Sequence, residues 1–283
     1  MSRSRPLWGG LYGVFADGPG GGSIAGVVVC PAELPSDRMQ AIAKDLLAPT
    51  TGFVVTGARA AATLPIRFFS PRQEMDACGY ATVAAATALR ESGHWQPRGK
   101  HALRAGGGLY ELHYLDHGVR LDVSVAGHQP LDVSSRSLLA DALGVPLAEG
   151  RVEVVDTGLR HLVLPVQSRA ALSGFRPDRA VAERIAARHR VDTIALVAGV
   201  LPGVEGVDLR DVCAPVGDLE EPASGTTAAA VADFYRRHFG GTSLTVRQGE
   251  DMGRPSVIRT HARVDGVVEV SGTARPVLTG ALT

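Results

Sequence analysis

The chain has 283 residues, its 29 lysines and arginines balance 29 aspartates and glutamates, and 45% of it is apolar. That length suits two domains of ordinary size or a pseudo-symmetric pair, and the balanced charge, with no basic stripe among aromatics, argues against a nucleic-acid partner. No run reaches the roughly 18 apolar residues of a membrane helix, and the start, MSRSRPLWGGLYGVF, has no sustained apolar segment, so the expectation is a cytoplasmic protein with no membrane partner.

In chain order, LYGVFAD and IAGVVVC read as two strands around the glycine-rich turn from Gly18 to Ser23. PSDRMQAIAKDLL places Met39, Ile42, Leu46 and Leu47 at helical spacing, with Asp37 as a plausible cap. GFVVTG and LPIRFFS return to strand, a helix follows from Ala81 to about Glu91, and HALRAGGGLYELHYLDHGVRLDVSV reads as strands separated by turns. The second half opens with the short capped helix SSRSLLADALGV, then the strands VEVVDTG and HLVLPV, the amphipathic helix RAVAERIAARHR and the buried strand TIALVAGVL. VDLRDVCAP leads to a helix from Thr226 to His238, and SLTVRQGE, SVIRTHARV and GVVEVSGTARPVL close the chain as strands. Both halves run strands, helix, strands, helix, strands, so a sheet wrapped around a central helix, twice over, is the economical architecture.

The repeat is sharpest at two triplets. Ala77-Cys78-Gly79 and Ala223-Ser224-Gly225 each head an alanine-rich run, ATVAAATAL and TTAAAVADF, and each follows a strand, a proline and acidic residues in FFSPRQEMDACG and VCAPVGDLEEPASG. A chain that turns through small residues into a helix leaves N–H groups without an intrahelical acceptor, a natural cradle for a carboxylate or oxyanion. The amides of Gly79, Tyr80, Gly225 and Thr226 are the expected donors, and a thiol at one junction with a hydroxyl at the other would put proton-handling groups on opposite sides of one small anion.

Three cysteines at spacings of no metal motif indicate neither a disulfide framework nor a metal site. The helix dipole would favour the thiolate of Cys78, whereas Cys30, ending the run VVVC, and Cys213 read as packing residues. Serine is a common N-cap, and only symmetry with Cys78 singles out Ser224, whose service would be a hydrogen bond or a proton relay. Of the acidic residues ahead of the triplets, Glu74, Asp76, Glu220 and Glu221, the best candidate acid is Glu221. His161, entering a strand after a turn, is placed either to reach a cleft or to sit on the surface, and Arg254, beside Gly253, either clamps a carboxylate or faces solvent.

These segments, in this order and over nearly the whole chain, resemble the PhzF-like family, named for phenazine biosynthesis, within the broader diaminopimelate epimerase and proline racemase fold. The resemblance implies an α+β fold of two pseudo-symmetric domains, about 1–127 and 128–283, each a barrel-like, mainly antiparallel sheet around a central helix. The last strand could pack on the first half. It also implies a site without a cofactor in the cleft between the domains, and a homodimer. Departures accompany it. Where PhzF-type enzymes carry a catalytic glutamate before the FV strand, this chain has Thr50; where they commonly read Ala-Gly-His-Pro at the first junction, it has Cys78-Gly79-Tyr80-Ala81. Their aspartate before the second junction becomes Glu221, and the Gly-Asn-Pro of the opening hairpin becomes Gly22-Ser23-Ile24, which puts Ser23 among the substrate-binding residues.

The Cys-Gly pair is similar to the epimerase branch, whose first catalytic cysteine aligns with Cys78 and whose second aligns with Ser224. A symmetric racemase needs a base on each face of the stereocentre, so a serine in the second place favours one-sided proton transfer. The expected activity is therefore an isomerase that shifts a double bond by proton transfer, without a cofactor, in a small amino-acid-derived or cyclic imino-acid carboxylate. The resemblance connects such activity with secondary-metabolite, antibiotic-type biosynthesis of alkylated proline units. Cys78 would be the base, with Ser224 and Glu221 as partners and with Ser23, Gly79, Tyr80, His161, Gly225 and Thr226 binding substrate. The alternatives are an epimerase or dehydratase of a proline-like amino acid and a non-catalytic binding member of the fold.

Overall fold

The structure, a computed structural model, describes residues 7–57, 61–96, 100–213 and 218–282. The chain divides into two compact units, one formed by the described residues of Met1–Ala16, Ser23–Leu121 and Ser271–Thr283, the other by those of Asp17–Gly22 and Asp122–Val270.

In chain order the first unit contains β1 (Leu7–Val14), β2 (Ser23–Cys30), α1 (Ser36–Leu46), β3 (Thr50–Val55), β4 (Thr63–Phe69), β5 (Glu74–Met75), α2 (Gly79–Glu91), β6 (His101–Ala105), β7 (Gly108–Leu115) and the start of β8 (Gly118–Ser124). The second contains β9 (Gly127–Pro130), α3 (Val133–Leu143), β10 (Glu153–Asp156), β11 (Arg160–Pro165), α4 (Arg169–Gly174), α5 (Arg179–His189), β12 (Thr193–Ala198), β13 (Gly206–Cys213), β14 (Glu220–Glu221), α6 (Gly225–Phe239), β15 (Ser243–Gln248), β16 (Ser256–Ala262) and most of β17 (Val267–Gly272). The closing strand β18 (Ala274–Leu282) runs antiparallel to β1, in the first unit.

The two units repeat one pairing scheme. In the first, β1 and β2 are antiparallel, β2 and β3 parallel, β3 and β4 antiparallel, β4 and β6 parallel, and β6 and β7 antiparallel, with the two-residue β5 laid antiparallel on β4. In the second, β10–β11, β11–β12, β12–β13, β13–β15, β15–β16 and β13–β14 follow the same sequence of directions. Register therefore assigns each residue near a junction a counterpart in the other unit. Cys78 corresponds to Ser224, Met75 to Glu221, Phe68 to Asp211, Thr50 to Thr193, Ala25 to His161 and Ala81 to Thr227.

Helix α2 is buried on every face from Tyr80 to Leu89, and α6 is nearly so from Gly225 to Tyr235. An amphipathic surface helix shows one apolar stripe, whereas a helix apolar all round has to be enclosed, and the runs of alanine allow the strands to approach closely. Helix α2 packs on β1, β2, β3 and β18, and Tyr114 on β7 donates to Ala86 O at 2.6 Å; α6 packs on β10, β11, β12, β15 and β16. Ala84, Ala85 and Ala86 have no exposed surface. Ala85→Leu is accordingly expected to cost about 1–3 kcal/mol by overpacking, read as a lowered denaturation midpoint, while the same change at the exposed Ser134 leaves it in place.

On the outer face of the first sheet α1 presses Met39 and Ala43 against Val28, Cys30 and Phe53, so Cys30 is a core residue. Asp37 does not cap α1: the cap position is Pro35, with no side-chain bond, and Asp37 lies in the first turn, where a carboxylate still complements the helix dipole. The cap of α3 is Asp132, two residues ahead of the serines, and α5 is capped by Asp178. The short strands β5, β9 and β14 and the six-residue α4 carry too few residues to show a period in the sequence.

Candidate active site

Cys78 and Ser224 are the N-cap residues of α2 and α6, both extended in backbone and both nearly buried. Each junction is braced in the same way. The turn between β6 and β7 presses Gly107 against the chain at Asp76, where Gly107 N donates to Asp76 O at 2.8 Å and a Cβ would come within 2.9 Å of that oxygen. After β15, Gly249 lies against Pro222 in the second unit, where a Cβ would meet Pro222 O at 2.6 Å, and its φ of +79° adds a second reason for glycine. Gln248 completes the brace, its Oε1 accepting from Ser224 N at 3.2 Å and its Nε2 donating to Glu221 O at 2.7 Å.

The surroundings of the two junctions differ. Behind Cys78 the places equivalent to Asp211, Glu221 and Thr227 carry Phe68, Met75 and Ala81. Tyr110 stacks edge-on against Phe68, and burial, with the Cys78 and Asp76 charges behind it, pushes its phenol up to about 12. Two of the first-unit departures from the PhzF pattern touch each other: Tyr80 Oη donates to Thr50 Oγ1 at 3.0 Å, and Thr50 lies 3.8 Å from Met75 Sδ. Thr50 is buried at the start of β3 and has no acid–base capacity near neutrality. Cys78 makes no side-chain capping bond, in contrast to Ser224, and a Cβ built on Gly79 would meet nothing within 4 Å. The helix start thus combines a thiol, the positive end of the dipole and open space in front of the first residue.

Around Ser224 the titratable groups gather. Its Oγ accepts from Thr227 N as a capping bond and lies 2.9 Å from Thr227 Oγ1 and 3.3 Å from Thr226 Oγ1. Thr227 Oγ1 donates to Asp211 Oδ2 at 2.7 Å. Asp211 is fully buried, its Oδ1 has no hydrogen-bond partner, and burial raises its carboxyl to about 6 against the pull of nearby hydroxyls. Glu221, opposite Asp211 in the β13–β14 ladder, is pushed up to about 8, first by burial and then by the charges of Asp211 and Asp218. Cys213 joins them: the ligand-type atoms of Asp211, Cys213 and Glu221 lie within 4.8 Å of one another, and burial drives the Cys213 thiol well above its ordinary range.

His161 is placed differently from either sequence expectation. It has no exposed surface; its Nδ1 lies 2.8 Å from Thr193 Oγ1 and 3.2 Å from Thr227 Oγ1, and its Nε2 lies 2.9 Å from Thr157 Oγ1. Burial lowers its pKa to about 3, so the ring is neutral and acts through hydroxyls. Arg254 is partly buried, and its Nε donates to Gly22 O at 2.9 Å. Ser23 is buried as the first residue of β2. Sequence reasoning passed over Asp211, Thr193 and Thr227. The signal available was the repeat itself, because aligning the two halves sets Asp211 against a phenylalanine and Thr227 against an alanine.

The chain matches the model of the family described as phenazine biosynthesis-like protein over residues 12–280. It is 32% identical to a Deinococcus radiodurans protein named as an uncharacterized isomerase, with 92% of this chain and 89% of that one covered. It is 28% identical to the trans-2,3-dihydro-3-hydroxyanthranilate isomerase of Pseudomonas aeruginosa, with 95% and 92% covered. The crystal structure of a Bacillus anthracis phenazine biosynthesis protein of the PhzF family superposes with a TM-score of 0.83 over 99% of this chain and 100% of that one, at 21% identity. No helix among the described residues is long and apolar enough to cross a membrane. Matched along almost its full length in sequence and in the α+β fold, the chain belongs to the phenazine biosynthesis-like protein family and is an isomerase.

Proposed function

We propose that the protein shifts a double bond by proton transfer, without a cofactor, in a small amino-acid-derived or cyclic imino-acid carboxylate, with Cys78 as the base. The observation that carries the reading is the asymmetry of two topologically equivalent junctions, a thiol with Phe68, Met75 and Ala81 at the places behind it in one unit and a hydroxyl with Asp211, Glu221 and Thr227 there in the other. A thiolate at a helix start can take a proton from carbon and return it, and the first-turn amides at Gly79, Tyr80, Gly225 and Thr226 stabilise the carboxylate and the delocalised anion. Glu221, protonated over much of the neutral range, is the group that orients substrate by donating a hydrogen bond. A homodimer and a place in secondary-metabolite biosynthesis belong to the same proposal.

The trans-2,3-dihydro-3-hydroxyanthranilate isomerase relative supports double-bond migration. The epimerase alternative is favoured by one observation, the hydroxyl–carboxyl chain behind Ser224, which gives that side proton capacity. Incubating trans-2,3-dihydro-3-hydroxyanthranilate and a panel of unsaturated imino acids with the protein in deuterated water, followed by NMR, separates the outcomes. A shifted double bond with deuterium at carbon supports the proposal, inversion alone moves the assignment to an epimerase, and no enzyme-dependent label across the panel overturns it.

A further inference from the structure

Behind Ser224 stands a chain of groups that has no counterpart behind Cys78. Ser224 Oγ is 2.9 Å from Thr227 Oγ1, which is 2.7 Å from Asp211 Oδ2. At the equivalent places the first unit carries Ala81 and Phe68, and Ala25 stands where the second unit has His161. A thiol exchanges protons near neutrality unaided, whereas a serine hydroxyl is a feeble acid and base until a partner supplies or accepts the proton. The extra groups occur only on the side that needs them. We propose that Asp211 and Thr227 form a proton relay that makes Ser224 an acid–base group of this isomerase, which rests on the reading above that Ser224 faces substrate.

The relay balances in either direction. With Asp211 ionised, Thr227 donates to Asp211 and Ser224 donates to Thr227, leaving a lone pair of Ser224 Oγ for a substrate proton. As Ser224 takes that proton, its own passes to Thr227 and the Thr227 proton to Asp211, so one C–H bond breaks, one carboxyl O–H bond forms, and the negative charge moves from Asp211 to the substrate. With Asp211 protonated, every donor turns round and Ser224 delivers a proton to carbon, returning the charge to Asp211. Such a device needs a carboxyl able to hold either state. Asp211 is fully buried with one oxygen unpartnered, and the groups around it are Glu221 and Glu220 on β14, Cys213 on its own strand, Thr193 on β12, and Ser224 and Thr227 at the start of α6, with His161 beyond them on Thr193 and Thr227. The Asp211 and Glu221 values, about 6 and about 8, mean that this acidic pair retains a proton through the neutral range. His161, neutral and held between Thr193 and Thr157, steadies the Thr227 hydroxyl and adds no charge.

The test has a substrate-free arm and a kinetic arm. In the free protein with 13C-labelled aspartate carboxyls, Asp211 titrates near pH 6, and Thr227→Val, which removes the first of its hydroxyl donors, moves it upward. An Asp211 carboxyl that titrates below pH 4 or stays protonated to pH 9 overturns the relay whatever the substrate is. On the substrate found by the deuterium assay, Asp211→Asn and Thr227→Val each lower kcat about 100-fold, with KM changed less than about threefold, and abolish the pH limb set by Asp211; Thr227→Ser recovers at least about tenfold of the loss. In a Ser224→Cys background, where a thiol carries its own proton, the loss from Asp211→Asn shrinks to below about tenfold. Equal losses in the serine and cysteine backgrounds would reduce Asp211 to a structural role and overturn the proposal. If the panel is not turned over while Asp211 titrates as stated, it is the substrate assignment that fails, and the titration arm alone decides the relay.

Discussion

Cys78→Ala is expected to lower turnover at least about 1,000-fold, within the range associated with removing an acid–base group that acts on carbon, while changing stability by less than about 1 kcal/mol. The stability half follows from the position. Cys78 is an N-cap whose side chain makes no capping bond, so alanine removes no capping bond from the helix start, and the backbone bond from Thr82 N to Cys78 O at 3.0 Å is kept. The activity half follows from the absence of a substitute, because Thr50 and Tyr80, where the PhzF pattern has glutamate and histidine, are bonded to each other through their hydroxyls and supply neither a carboxylate nor an imidazole. Cys78→Ser is the more telling variant. A hydroxyl there has Ala81 and Phe68 behind it, so it is expected to remain at least about 100-fold impaired although a serine stands at the equivalent place in the second unit. Deuterium incorporation at carbon, with a thermal melt on each variant, measures both halves. Retention of a tenth or more of the wild-type rate in Cys78→Ala would remove Cys78 as the base.

The repeat explains what could be read in advance and what could not. Both buried helices were legible because their alanine runs begin at small-residue triplets, and the long strands because β-branched residues cluster in VVVC and TIALVA. The junction residues could be named for the same reason. The acid–base environment was hidden because it is assembled across strands: Asp211, Thr193 and His161 meet Thr227 only through the β11–β12–β13 register, at separations of 16 to 66 residues from Thr227. Burial was hidden too. The histidine after a turn reads as a cleft or surface residue, and only the enclosing strands and the three hydroxyls at its nitrogens make it a neutral, interior one. The cap of α1 failed for a simpler reason, since Asp37 lies one residue inside the helix and an N-cap side chain must lie outside it to reach back to the first amides.

Arg210→Ala is expected to destabilise the second unit by about 3–5 kcal/mol, and Arg67→Ala the first by no more than about 1 kcal/mol, although the two arginines hold the same contact. In both units an arginine on the long strand grips the first residue of the two-residue strand with paired bonds: Arg210 Nε and Nη2 to Glu220 at 2.7 Å each, Arg67 Nε and Nη2 to Glu74 at 2.7 Å each. Burial separates them. The Arg210 and Glu220 side chains are 6% and 9% exposed, against 29% and 44% for Arg67 and Glu74. Arg210 Nη1 also donates to Leu172 O and Phe175 O, and its guanidinium lies over the Phe175 ring at 5.2 Å, so its removal strands a buried carboxylate and two carbonyls. Arg67 shares its charge with Glu33 and Ser36 in water, where screening leaves little net gain. Hydrogen exchange of the β12 and β13 amides, with urea midpoints, measures the difference. Because Glu220 precedes Glu221 and lies four residues before Ser224, Arg210→Ala should also lower turnover, whereas Arg67→Ala, similarly spaced from Cys78 but holding its glutamate through more exposed and screened bonds, should not. Equal stability losses at the two positions would mean that burial does not set the strength of this clamp.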